Sequence, residues 1–334
     1  MKLLAALAAT LVPSALAASR TSPPPNCLTV SKPNSSPRGQ YTTVQAAVDA
    51  LSLTSTAPQC IFIYPGVYRE QVLVASRKAQ LSIYGSTPDT SSYARNAVTI
   101  TSSKSQADGL SNDETGTLRV KAPGFRLYNV NVENTYGKGS QAVALSAQAE
   151  SGYYGCAFYG FQDTLYANSG AQVYARCLIQ GATDFIFGRH APAWFEKCDI
   201  RVVTASLGYI TASGRQSSSS PNYYAFNNCD IASAAGHSVA NGAYYLGRPW
   251  AEFARVVVQR TSMTGVVNSA GWRVWNNGDE RTGNVLFGEY ANTGAGASGT
   301  RASFATRLSS PVTMSAVLGG GYSSAAYFDA SYLA

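Results

Sequence analysis

A repeated phrase headed by cysteine restricts the fold more than any other feature of this chain. Cys156-Ala157-Phe158, Cys177-Leu178-Ile179 and Cys198-Asp199-Ile200 follow one another at 21-residue intervals, and Cys229-Asp230-Ile231 comes 31 residues later. The ten additional residues are assigned to a loop at Ser213-Gly214-Arg215 and Ser217 to Pro221, where Gly, Ser and Pro break regular structure. An earlier relative, Asn129-Val130-Asn131-Val132, starts 27 residues before Cys156, with its surplus in the turn at 137–140. Short β-branched and aromatic runs, ended by Gly, Asn and Ser and free of helical periodicity, mark a solenoid with one coil per repeat. A leucine-rich repeat of similar period would need a leucine lattice, which is missing. The prediction is an all-β chain, a parallel β-helix in which equivalent residues stack at about 4.8 Å.

Solenoids need covered ends. Val44, Ala47, Val48 and Leu51 follow helical spacing behind the cap-competent Thr42 and Thr43, which predicts a short amphipathic helix plugging one end. Ile61-Phe62-Ile63-Tyr64, stopped by Pro65-Gly66, reads as the first strand. At the other end 293–300 is a Gly/Ala/Ser-rich loop, and the tail from Arg301 folds back on the solenoid. Cys156, Cys177 and Cys198 form an inward column of small buried hydrophobes, and Cys27 with Cys60 is the assigned disulfide. A metal site is not expected, since histidines and Cys-x-x-Cys spacing are lacking near these thiols.

Superposing two coils at the 21-residue offset brings Cys156 onto Cys177, Gly160 onto Gly181, and Asp163 onto Asp184. In-register stacking places the two carboxylates roughly 5 Å apart. At an effective dielectric of 20 the repulsion between two such charges is about 3 kcal/mol, so one acid keeps its proton while the other ionises. The third coil offers Ala205 at the matching place, so the pair is not a continuing ladder. A structural stack would use Asn, which carries no charge. Acids with separated ionisations suit a general acid beside a nucleophile. Gln162, Phe185 and Phe187 flank them, and Arg248 from a later coil is positioned by sequence to hold one carboxylate ionised.

Five segments of the chain resemble the pectin methylesterase family. They are Gly66-Val67-Tyr68-Arg69-Glu70, Gln141-Ala142-Val143-Ala144-Leu145, Gly160-Phe161-Gln162-Asp163-Thr164-Leu165, Asp184-Phe185-Ile186-Phe187-Gly188 and Leu246-Gly247-Arg248-Pro249-Trp250. They run in the family's order, and the resemblance covers roughly Gln40 to Phe328. It implies a right-handed parallel β-helix and hydrolysis of galacturonate methyl esters in pectin (homogalacturonan), giving free carboxylates and methanol. Asp184 is then the nucleophile of an acyl-enzyme, Asp163 the general acid and base, and Gln141 with Gln162 the donors to the oxyanion. Arg248 orients Asp184. Phe187, Trp250 and Trp272 are the expected substrate contacts, with no cofactor and no metal. Tyr68 and Glu70 read as strand structure rather than chemistry.

Other classes fit less well. Acids about 5 Å apart would serve a retaining glycosidase, but the Gly-His-Gly and Arg-Ile-Lys patterns of β-helical hydrolases are absent. A non-catalytic carbohydrate-binding solenoid has no use for two repulsive acids. No Gly-x-Ser-x-Gly elbow exists, and Gly294 to Gly299 fits a dinucleotide fingerprint by letters only, without its βαβ setting. The two histidines, His190 and His237, read as surface residues. Residues 1–17, with Lys2, an apolar run and Ala15-Leu16-Ala17, read as a secretory signal peptide. Residues 18–39 then form a Pro/Ser-rich N-terminal segment and 40–334 a single catalytic domain. A secreted, extracellular monomer is expected, with Asn34-Ser35-Ser36 a glycosylation sequon. The formal charge of +7 suits a polyanionic substrate, whereas scattered Lys and Arg argue against nucleic acid, and no long apolar run suggests a membrane span.

Overall fold

In the computed structural model, which describes residues 18–333, the chain winds as a parallel β-helix with three sheets. Among the described residues these hold eleven, seven and eight strands, every adjacent pair parallel. The coil built on Cys156 is representative. Ser151–Tyr154 lies in the first sheet, Ala157–Tyr159 in the third and Leu165–Ala167 in the second, before Gln172–Ala175 returns to the first. A single left-handed residue turns the corner between the first and third sheets: Asn129, Gly155, Arg176, Lys197, Asn228 and Arg260 all have φ of 50–59°. The signal peptide assigned to 1–17 lies outside the described residues.

The 21-residue offset holds where it was read. Ala157 pairs with Leu178, and Leu178 with Asp199; Asp199 then pairs with Asp230 at the longer interval. The earlier coil differs by one, because Asn131 pairs with Ala157 and so brings Val130, not Asn129, level with Cys156. The ten-residue surplus is also divided. Five residues enter between Val202 and Tyr209 and six between Ser213 and Tyr223, one being returned at an irregularity between Thr183 and Ile186. Tyr209 stands beside Thr183 in the next coil, so the inserted residues carry Ala205 out of level with Asp184.

Cys156, Cys177, Cys198 and Cys229 are free and buried in one column, while Cys27 and Cys60 form a disulfide. Each column thiol donates to a carbonyl of the preceding coil, as from Cys177 Sγ to Tyr153 O at 3.3 Å. Beside them Tyr153, Tyr174, Phe195 and Phe226 stack face to face with centroids 4.4–4.8 Å apart. This in-register aromatic column buries large apolar area and adds about 0.5–1.5 kcal/mol per ring pair.

The helix Val44–Ala50 plugs the N-terminal end with Val44, Ala47 and Val48 buried in the core. Thr43 caps it, and the Glu70 carboxylate accepts from the Val44 and Gln45 amides at 2.8 and 2.9 Å, which gives Glu70 its structural task. The solenoid starts earlier than Gln40: Leu28–Val30 pairs with the strand Gln59–Ile63, so the 18–39 segment supplies the first strand. The tail folds back as expected. Ala305–Arg307 adds a strand, the helix Met314–Leu318 packs near Trp194 and Tyr223, and Tyr327 lies over Tyr128 and Tyr154.

Candidate active site

The second sheet forms the floor of a groove, and the bends leading into its strands aim polar side chains outward. Gln162 bridges Thr183, Leu165 pairs with Ile186 and Tyr166 with Phe187, all at the same offset of 21. Asp163 is therefore level with Asp184. Both adopt the left-handed region, φ 64° and 50°, a conformation Asp tolerates better than most residues. A Cβ at Gly181 would collide with Phe185, so glycine there allows the tight approach to the second bend. The irregularity at Asp184 and Phe185 re-aims one side chain out of the sheet, as bulges do.

A cavity of about 330 Å³ in this groove is lined by Gln141, Gln162, Asp163, Asp184, Phe187, Arg248 and Trp250, among others. The two acids are 6% and 8% exposed, but their partners differ. Arg248 grips Asp184 with two parallel bonds, Nε to Oδ1 at 2.9 Å and Nη2 to Oδ2 at 2.7 Å. No protein group hydrogen-bonds the Asp163 carboxyl among the described residues. Burial pushes Asp163 well above the usual carboxylate range, and the neighbouring Asp184 charge pushes it further. Burial raises Asp184 as well, but there the Arg248 bonds and charge pull the other way. The pair is thus built for Asp184 to ionise first while Asp163 keeps its proton.

The side-chain amides of Gln141 and Gln162 have no protein partner among the described residues, so their N–H groups remain available within the cavity. Phe187 stacks on Tyr166 with centroids 4.5 Å apart and meets Trp250 edge-on; only 2% of it is exposed, so it supports the floor. Trp272 corrects the sequence reading. It bridges Gly247, but its ring turns into the solenoid, 1% exposed and stacked on Phe287, with Nε1 donating to Glu289.

Three residues later, Trp275 takes the place in the groove that was assigned to Trp272. Sequence reading also missed Tyr209, Gln106 and Asn112. The Arg248 guanidinium lies 4.2 Å from the Tyr209 and Trp275 ring centroids, stacked against both. Gln106 and Asn112 line the same cavity and are joined by a hydrogen bond of 2.6 Å. Tyr209 could have been found only by placing five inserted residues before it; Trp275 lies three residues after Trp272, and local spacing does not encode which of the two faces the groove.

The family model described as Pectinesterase matches residues 29–311. The chain belongs to the pectinesterase family. A pectinesterase of Aspergillus aculeatus is 51% identical over 323 residues, covering 96% of each chain, and one of Aspergillus niger is 49% identical over the same length and coverage. The crystal structure of the Aspergillus niger pectin methylesterase superposes with a TM-score of 0.86 at 43% identity, over 94% of this chain and all of the other. The carrot pectin methylesterase gives 0.81 at 31% identity, over 93% and 98%. This pectinesterase is accordingly a carboxylic ester hydrolase, and its three-sheet solenoid is the fold of those two structures.

Proposed function

We propose that the protein removes methyl groups from galacturonate units of pectin through an acyl-enzyme on Asp184, with Asp163 as general acid and then base. The observation that carries this reading is the asymmetry of two level, buried acids, only one of which is held by a guanidinium. Ionised Asp184 attacks the ester carbonyl, and the amides of Gln141 and Gln162 donate to the oxygen that becomes negative. Collapse of the tetrahedral intermediate breaks the bond to the methoxy oxygen, which takes the Asp163 proton and leaves as methanol. Asp163, now a base, takes a proton from water as that water attacks the sugar acyl carbon and releases Asp184. Arg248 holds Asp184 charged and oriented, while Trp250 and Phe187 shape the wall and floor beside the sugar.

The enzyme is proposed to act outside the cell as a monomer; Asn34 is exposed, as its use as a glycosylation site requires. The test is methanol release from methylated pectin with chain length followed in parallel. Methanol without shortening supports esterase action. Shortening without methanol would favour a glycosidase or lyase, and neither change a binding protein.

A further inference from the structure

A strap of chain, residues 105–117, runs between the strands Val98–Ser102 and Leu118–Val120 and reaches the cavity with Gln106 and Asn112. It is braced locally. Ser105 with Asp108 and Ser111 with Glu114 form two capping boxes, and the Asp113 carboxylate takes Arg119, Lys121 and the Ser146 hydroxyl. Its bonds converge on the residues around Gln141. The Gln106 amide donates to Gln141 O at 2.9 Å, the Ala107 amide to Ser140 Oγ at 3.1 Å and the Thr117 amide to Val143 O at 3.1 Å. Thr115 Oγ1 accepts from the Val143 amide at 3.1 Å and donates to Asn112 O at 2.8 Å. One fully buried hydroxyl therefore ties the strap's own turn to the backbone that follows Gln141.

These ties decide where the Gln141 amide points. Gln141 lies outside the strands, the next of which begins at Leu145, and its side chain has no protein partner among the described residues. Its direction is therefore inherited from the backbone at 140–143. The strap holds that backbone on one side, and on the other the Ala142 amide donates to Gln162 O at 3.1 Å. We infer that Thr115 is a positioning residue for the ester hydrolysis, aiming the Gln141 amide at the oxyanion through the strap. A donor stabilises the developing charge only from about 2.7–3.1 Å, and a misplacement of about 1 Å can cost about a hundred-fold. Valine would keep the shape of Thr115 and lose both bonds, whereas serine keeps the hydroxyl.

This inference rests on the oxyanion role proposed for Gln141, and a double-mutant cycle separates the two. The kcat and KM of methanol release from methylated pectin are measured for wild type, Thr115→Val, Thr115→Ser, Gln141→Ala and the Thr115→Val, Gln141→Ala double variant, with melting curves alongside. Thr115→Val lowers kcat about ten-fold with KM nearly unchanged, less than the roughly hundred-fold or larger cost of losing an oxyanion donor outright. Thr115→Ser recovers most of the loss. In the Gln141→Ala background Thr115→Val costs nothing further in kcat, although it lowers the melting temperature as much as before. Ser140→Ala, which cuts the tie from Ala107 and leaves Thr115 in place, gives a smaller loss that vanishes in the same background, and it decides the matter if Thr115→Val does not fold. An unchanged kcat, a loss carried by KM, or an equal loss with and without the Gln141 amide overturns the inference. Wild-type kcat in Gln141→Ala overturns the oxyanion role instead.

Discussion

Replacing Arg248 by Gln tests how Asp184 is kept ionised. Two charge-assisted hydrogen bonds, at 2.9 and 2.7 Å, join side chains that are 16% and 11% exposed. Each such bond contributes about 1.5–3 kcal/mol, and breaking a buried ion pair costs about 3–5 kcal/mol. Both routes give at least about 3 kcal/mol, close to a hundred-fold in the ionisation constant of Asp184. Burial already raises the Asp184 carboxyl, so removing the guanidinium raises it further and moves the acid limb of activity to higher pH. The assay is methanol release across pH, with melting curves to establish that the variant folds. The expected result is a loss that approaches about a hundred-fold at pH values below the wild-type acid limb and narrows as pH rises, with Arg248→Lys intermediate. A loss of the same size at every pH, with the limb unmoved, would refute the electrostatic role and leave Arg248 as a steric element.

The Tyr209→Leu variant removes one ring from the Arg248 clamp, worth about 0.5–2 kcal/mol. Its kcat should fall about 2- to 30-fold, with a smaller shift of the acid limb in the same direction as Arg248→Gln. The Asp163→Asn variant should be more stable than wild type near neutral pH. The raised Asp163 carboxyl contributes stability that is present below the ordinary carboxylate value and lost as pH rises through its folded value. Chemical denaturation at acid and neutral pH should therefore show the Asn variant gaining on wild type as pH rises, while methanol release collapses. The four column cysteines are 0–3% exposed, so a thiol reagent should label none of them in the native protein and all four after unfolding.

The sequence could be read where the solenoid is most regular. The 21-residue interval predicted the coil, the thiol column and the level placement of Asp163 and Asp184, because a parallel register turns spacing directly into neighbourhood. It misled where coils change length. Asn129 was aligned with Cys156 although its left-handed φ puts it at the corner with Gly155. Ala205 was placed beside Asp184 because insertions on two sides of the coil were counted as one. Leu28–Val30 escaped notice as three residues among Pro and Ser, without enough alternation to mark a strand. Trp272 and Trp275 differ in facing because the chain bends after the bridge to Gly247, a tertiary property that the motif does not carry. The clamp on Arg248 likewise joins Tyr209 and Trp275, residues distant in sequence, through packing alone.

The central claim is that two acids from adjacent coils share one groove in opposite states of ionisation. It is tested most directly by a carbon-13 NMR titration of aspartate carboxyls in wild type and in Asp163→Asn, which assigns the Asp163 signal by its disappearance. The predicted result is that Asp184 ionises first and Asp163 holds its proton to higher pH, with the Asp184 transition little moved in Asp163→Asn because Asp163 is still neutral when Asp184 titrates. Both signals titrating independently in the ordinary carboxylate range, or Asp163 ionising before Asp184, would contradict the account.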